Sequence, residues 1–259
     1  MFDEGTGPAL VVIPGVQGRW EWMRPALQEL RKRCRTVSYS LCGDFGSGTK
    51  VDPSLGFDNY VRQLDRVLDE AGMDRVALCG VSFGGLVALR YASARPGRVS
   101  ALIFAASPAP GWTPNERQRR YIARPWLSVP AFLATSPGRL WPEIMAARGT
   151  VTGGIMFGAR HIARVLAAPA IPSLMASRIR LEQALDFSED CARVEAPALV
   201  VTGEEQLDRV VPVGATRRYE SLIRGARHQT LERTGHIGLV TRPAEFASIV
   251  SGFVHAHSH

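Results

Sequence analysis

The order of apolar segments predicts an α/β fold: a mostly parallel sheet of about six to eight strands flanked by helices, with a helical cap inserted after the strand at 99–105. Three observations carry this prediction. Ala9–Ile13 (ALVVI) and Ala198–Thr202 (ALVVT) are short, β-branched and apolar without alternation, as expected of strands covered on both faces. Segments of helical period stand between such runs and the links are short, the pattern of parallel strands joined by crossover helices. The alternation breaks between 107 and 190 and then resumes, so an insertion interrupts the sheet-forming chain.

Taken in order, the first strand, Ala9–Ile13, stops at Pro14-Gly15. From Trp22 to Arg33 the apolar positions 23, 26, 27 and 30 recur at helical spacing, and 35–41 reads as the next strand. A Gly-rich loop over 43–56 follows. Phe57, Tyr60, Val61, Leu64, Val67, Leu68 and Ala71 then mark one face of a helix that stops at Gly72. Residues 75–79 are a strand, 86–94 a helix closed by Pro96, and 99–105 a strand. Order resumes with the strand at 198–202, a helix near 212–223, a strand near 229–232 and a closing helix over 243–254. This divides the chain into a core, 1–106 and 191–259, and a helical cap, 107–190. The cap is rich in proline, with short helical stretches and large apolar residues. Trp126, Trp141, Met145, Met156 and Phe157 are candidates to line an apolar substrate pocket; equally, they could fill the cap's own small core.

Composition removes several classes of function. With 259 residues, 46% of them hydrophobic and 21% charged, the chain can bury a substantial core as one large domain. Its opening, MFDEGTGP, is acidic and polar where a secretion signal is basic and then apolar, and no apolar run reaches the roughly 18 residues that span a bilayer. A cytoplasmic protein with no membrane span is expected. The four cysteines, at 34, 42, 79 and 191, show no CxxC pair, so reduced thiols are expected rather than disulfides or a zinc site. A net charge of +7 comes largely from scattered arginines with no nucleic-acid recognition motif, and no nucleic-acid partner is expected. His255, His257 and His259 lie past the predicted last helix and read as a frayed tail. No metal and no cofactor are expected.

The chemistry concentrates at Gly80-Val81-Ser82-Phe83-Gly84. It matches G-x-S-x-G and lies between a buried strand and a helix, where a sharp turn presents the serine at its apex. A serine hydroxyl is a poor nucleophile at neutral pH and needs a base within hydrogen-bond reach, oriented by a third group. His236, in Thr234-Gly235-His236-Ile237-Gly238, follows the predicted last strand and is the candidate base. His228 precedes that strand and is expected at the opposite edge; His161 lies in the cap. The orienting acid should follow ALVVT, where TGEEQLDRVVP offers Glu204, Glu205 and Asp208. Asp208, four residues before Pro212, is preferred, and the two glutamates stay open. IFAASPAP, after the preceding strand, offers no acid.

These segments resemble the α/β-hydrolase fold superfamily, in its lidded serine esterase type. The resemblance runs through PALVVIPGVQGRWEWMRPAL, FDNYVRQLDRVLDEAG, GVSFGGLVAL, ALVVTGEEQLDRVVPV and TGHIGLVTRPAEFASIV, most of the chain outside the cap. It implies Ser82 as nucleophile, Asp208 as orienting acid, His236 as general base, and the amides of Val16 and Phe83 as oxyanion hole. Three departures stand out. Pro14-Gly15 replaces the family's usual His-Gly, the acid loop is long, and almost nothing precedes the first strand, which leaves a sheet edge free to pair with a second copy. A serine at position 82 disfavours the dehalogenases and epoxide hydrolases, which use a carboxylate there. The activity expected is hydrolysis of a small-molecule carboxylic ester of small to medium acyl size. Lactone, thioester or carbon–carbon cleavage and cofactor-free perhydrolysis use the same residues, and a non-catalytic ligand receptor is the alternative of another class. The excess of arginine in the cap could attract an anionic substrate, although solvated surface charge explains it equally.

Overall fold

The computed structural model describes residues 1–258. Its strands are β1 (Phe2–Glu4), β2 (Ala9–Ile13), β3 (Arg35–Ser38), β4 (Val76–Val81), β5 (Val99–Ala105), β6 (Ala198–Thr202) and β7 (Arg227–Thr230). They form one seven-stranded sheet in the order β1-β3-β2-β4-β5-β6-β7. β1 pairs antiparallel with β3, and every other pairing is parallel. The short opening segment thus supplies a three-residue edge strand.

The helices are α1 (Arg24–Leu30), α2 (Asp58–Glu70), α3 (Phe83–Ala94), α4 (Glu116–Ala123), α5 (Val129–Arg148), α6 (Val151–Ala167), α7 (Pro172–Gln183), α8 (Ser188–Ala192), α9 (Val213–Arg217), α10 (Tyr219–Leu222), α11 (Gly238–Thr241) and α12 (Pro243–Ala256). Period-two alternation splits the central strands between two cores. Val76 and Leu78 of β4 join the side chains of α2 and α3 on one face, and Ala77 and Cys79 join those of α1 and α12 on the other. Both faces of the sheet are covered, which is why its strands read as continuous apolar runs. All four cysteines are buried and free.

The structure departs from the sequence reading mainly at element boundaries. The helix expected over 22–33 is a 3₁₀ turn, Trp20–Met23, followed by α1. The strand expected to reach residue 41 ends at Ser38, and the helix near 212–223 is split into α9 and α10. The last strand lies two residues earlier than expected, at β7. α3 begins at Phe83, so Gly84 and Gly85 are helical rather than linker. α4 to α7 stand between β5 and β6 in the chain, and α5 is a single 20-residue helix despite Pro137 and Pro142. Each proline deprives the carbonyl four residues back of its amide, but Leu133 and Gly138 are exposed, where a carbonyl without its amide costs least. Among the described residues, no single helix is long and apolar enough to cross a membrane.

Candidate active site

Ser82 sits at the carboxyl end of β4, half-buried, with φ 51° and ψ −123°. A side chain in that region is strained, and the strain persists only where the surroundings fix it. Among the described residues two further non-glycine residues have positive φ, Ala106 directly after β5 and Arg233 after β7. Each follows the carboxyl end of a strand, the edge where ligands bind in open α/β sheets. The Ser82 amide donates to Ala105 O at 2.9 Å and the Ala106 amide to Val201 O at 2.9 Å, so the ladder extends through the turns. The glycines are dictated by contact. A Cβ on Gly80 would run into the backbone of Gly84 and Gly85, and one on Gly84 into the carbonyl of Ile13.

That packing brings the loop after β2 against the serine. A Cβ on Gly15 would lie 3.3 Å from Ser82 Cβ. The Val16 amide donates to no protein acceptor among the described residues. Phe83 is the first residue of α3, whose opening amides lack acceptors within the helix. The carbonyl of Val16 is held from the insertion: Arg178 of α7 donates Nη1 to it at 2.9 Å and Nη2 to Cys42 O at 3.2 Å, and pairs with Asp44. Arg178 is 1% exposed, so this ion pair is fully desolvated.

His236 lies on the loop between β7 and α11, and its Nδ1 is 3.3 Å from Oδ2 of buried Asp208. Oδ1 of Asp208 accepts the amides of Val210 and Val211 at 2.9 and 3.0 Å. Two glycines let the loops interlock, since a Cβ on Gly203 would run into the carbonyl of Thr234 and one on Gly235 into that of Leu207. Burial works against the charge on each partner. Even so, the charge and hydrogen bond of His236, with the two amides, hold the Asp208 carboxyl below its ordinary range. For His236 burial is outweighed by the charge and hydrogen bond of Asp208, and the Glu143 charge adds to them, so its pKa lies above the ordinary value. No hydrogen bond joins Ser82 Oγ to His236 among the described residues.

The other candidates sort themselves. Glu204 accepts the Arg233 amide at 2.6 Å and stitches the acid loop to the histidine loop; Glu205 is exposed. His228, expected at the opposite edge, lies within β7 with Nε2 2.8 Å from Thr202 Oγ1, because the strand begins earlier than its sequence suggests. His161 stacks on Phe157 inside the insertion, where burial pushes its pKa down to about 4. His255 belongs to α12 and donates to Arg33 O at 2.9 Å rather than fraying, while His257 follows the helix end and lies 2.8 Å from Phe253 O. His259 lies outside the described residues. Among the described residues no group of three or more His, Cys, Asp or Glu is placed to hold a metal.

A cavity of about 20 Å³ adjoins His236, room for one water-sized body. Its lining includes Ala106, Thr202, Leu231, Thr234 and Phe246, and none of the five large apolar residues of the insertion singled out above. Trp126 and Met156 are 62% and 50% exposed. Trp141 and Met145 pack on Gly154 between α5 and α6, and Phe157 is buried beneath Arg148. Period and composition cannot distinguish these roles.

One residue escaped the sequence reading. Glu143 of α5, 1% exposed, accepts the Ile237 amide at 3.1 and 3.2 Å through its two oxygens and the Thr241 hydroxyl at 3.3 Å. Burial pushes its carboxyl up to about 7 against the amides of Gly235 and Ile237 and the charge of His236. A lone glutamate in a proline-broken apolar segment, WPEIM, carries no motif to announce it.

Comparison with known proteins identifies the family. A "Putative carbamate hydrolase RutD" of Klebsiella pneumoniae is 26% identical, with 94% of this chain and 90% of the relative covered. A pimeloyl-[acyl-carrier protein] methyl ester esterase of Nitrosomonas europaea is also 26% identical, covering 94% of each chain. The enol-lactonase of Burkholderia xenovorans shares the fold with a TM-score of 0.79 at 20% identity, over 98% of this chain and 95% of that one. The alpha/beta hydrolase family model matches residues 10–249, nearly the whole sheet and the insertion, and the chain belongs to that family of enzymes.

Proposed function

We propose that the protein is a serine hydrolase that cleaves small-molecule carboxylic esters of small to medium acyl size through an acyl-enzyme on Ser82. The observation that carries this reading is the strained Ser82 at the end of β4, with the Gly15–Val16 loop against it, together with the His236–Asp208 pair on the loops after β7 and β6. The bond from Nδ1 to Asp208 fixes the neutral imidazole with its proton on Nδ1, which leaves the Nε2 lone pair as the base. Nε2 takes the Ser82 proton as Oγ bonds to the ester carbonyl carbon. The carbonyl oxygen becomes an oxyanion received by the Val16 and Phe83 amides; one such donor is worth about 2.7 to 4 kcal/mol. Collapse expels the alkoxide, which takes the proton from His236. Water, deprotonated by His236, then attacks the acyl carbonyl; the second intermediate collapses to the free acid, and Ser82 Oγ leaves with the proton from His236, which restores the enzyme. Helices α4 to α7 serve as the cap over this site.

Carbamates and lactones present the same electrophilic carbonyl, and the names of a relative and a structural neighbour favour including both classes in the test. The experiment is a series of chromogenic esters of graded acyl length, with carbamates and lactones alongside, on the wild type and Ser82→Ala. The reading expects turnover with a chain-length optimum that disappears in Ser82→Ala. Cleavage that survives the substitution rejects it.

A further inference from the structure

Glu143 lies on the insertion, yet both of its oxygens reach the Ile237 amide, one residue beyond His236 in the chain. It also accepts from the Thr241 hydroxyl of α11. Desolvating a carboxylate is costly, and holding a loop does not need a charge, since an amide side chain of the same length could accept the same N–H. What the carboxyl adds, once ionised, is a negative charge that favours the imidazolium and is itself favoured by it. The groups that face His236 electrostatically are Asp208 from the loop after β6 and Glu143 from α5, and both favour the imidazolium. The groups acting on Glu143 are His236 and Asp208, with the amides of Gly235 and Ile237. The nearby guanidinium of Arg233 donates Nε to Ala146 O, on the same helix.

We propose that Glu143 is a positioning residue for His236: its carboxylate fixes the backbone that carries the imidazole and tunes the basicity of the ring, so that the insertion supplies part of the catalytic apparatus. This rests on His236 being the general base. Seated this way, the insertion couples its own placement to the competence of the base, and a displaced α5 leaves His236 with Asp208 alone. The same insertion reaches the other side of the site through Arg178 and the Val16 carbonyl.

The test is Glu143→Gln, read by the NMR titration of the His236 imidazole and by the pH profile of kcat/KM. Removing the ionisable group while keeping one acceptor lowers the His236 midpoint, by less than about one pH unit because a carboxyl at about 7 is only partly charged where the imidazole titrates. The acidic limb of the profile follows it to lower pH. Thr241→Val, which removes the hydroxyl bond and no charge, leaves the midpoint in place. A purely structural Glu143 predicts instead a lower unfolding temperature with an unmoved midpoint and limb, and that result overturns the proposal. Should Glu143→Gln not fold, the wild type with labelled Glu143 and His236 decides the matter: coupled titrations support the proposal, and a single independent His236 step overturns it. The imidazole titration needs no turnover. A wild type that cleaves no ester therefore defeats the esterase reading without obscuring the answer on Glu143.

Discussion

Asp208 is used on both sides: Oδ2 lies 3.3 Å from His236 Nδ1, and Oδ1 accepts the amides of Val210 and Val211. A carboxylate fixed from behind cannot swing away from the imidazole. Asp208→Asn keeps the shape but offers an N–H to the ring and selects the wrong tautomer. The expected loss in kcat is about 10⁴-fold, measured on the best ester of the graded series. Glu204→Gln, which weakens a bond to the Arg233 amide, is expected to cost about 1 kcal/mol of stability in denaturant unfolding and to leave most of the activity.

The pH dependence of activity has a definite sign. In the proposed mechanism His236 accepts the serine proton and so must be neutral, and its pKa lies above that of an ordinary histidine. The value of kcat/KM should therefore fall as pH drops through a midpoint higher than the ordinary histidine value of about 6.5. A pH–rate profile checks it.

Stability should run the other way. Glu143 is raised to about 7 and Glu182 to about 8, both by burial, and among the described residues no hydrogen bond or ion pair of the Glu182 carboxyl offsets it. A carboxyl whose pKa is raised on folding binds its proton more tightly in the folded state. Its contribution is full below the unfolded value of about 4.5 and is lost as pH rises through the folded one. The raised His236 acts in the same direction, its contribution full below about 6.5 and lost as pH rises through the higher folded value. Unfolding temperature should thus decline from about pH 5 to pH 9, the window these shifts define. Glu182→Gln should flatten the decline and stabilise the protein near pH 9 by on the order of 2 kcal/mol, measured by denaturant unfolding.

Arg178 and Asp44 form a buried pair whose partners are not equivalent to a solvent-exposed bridge. Arg178→Met strands the Asp44 charge in the interior and should cost about 3 to 5 kcal/mol; adding Asp44→Asn should recover part of it, and a double-mutant cycle measures how much. Because Arg178 also holds the Val16 carbonyl, the double variant should remain slower than wild type in kcat at restored stability.

Much of this was legible from residue order alone. The strands at 9–13, 99–105 and 198–202 announce themselves by unbroken apolar runs, and Ser82, Asp208 and His236 by their places after strand ends. Less legible were features decided by tertiary contact. Gly84 and Gly85 suggest a linker until the carbonyl of Ile13 and the side chain of Ser107 are seen to forbid any Cβ there, inside a helix. Pro137 and Pro142 suggest broken segments, yet α5 runs through both. The exposure of Trp126 and Met156 against the burial of Phe157 depends on which side of a helix meets the core, and an apolar segment without clean periodicity does not encode that side. Glu143 was invisible for the opposite reason: its partners, the Ile237 amide and the Thr241 hydroxyl, lie 94 and 98 residues away.

The most direct measurement is covalent trapping at the proposed nucleophile. Incubation with a fluorophosphonate, followed by intact-mass and peptide mass spectrometry, should give one adduct on the peptide containing Ser82, slowed in His236→Ala and absent in Ser82→Ala. An adduct on another residue, or none while ester cleavage proceeds, contradicts the account.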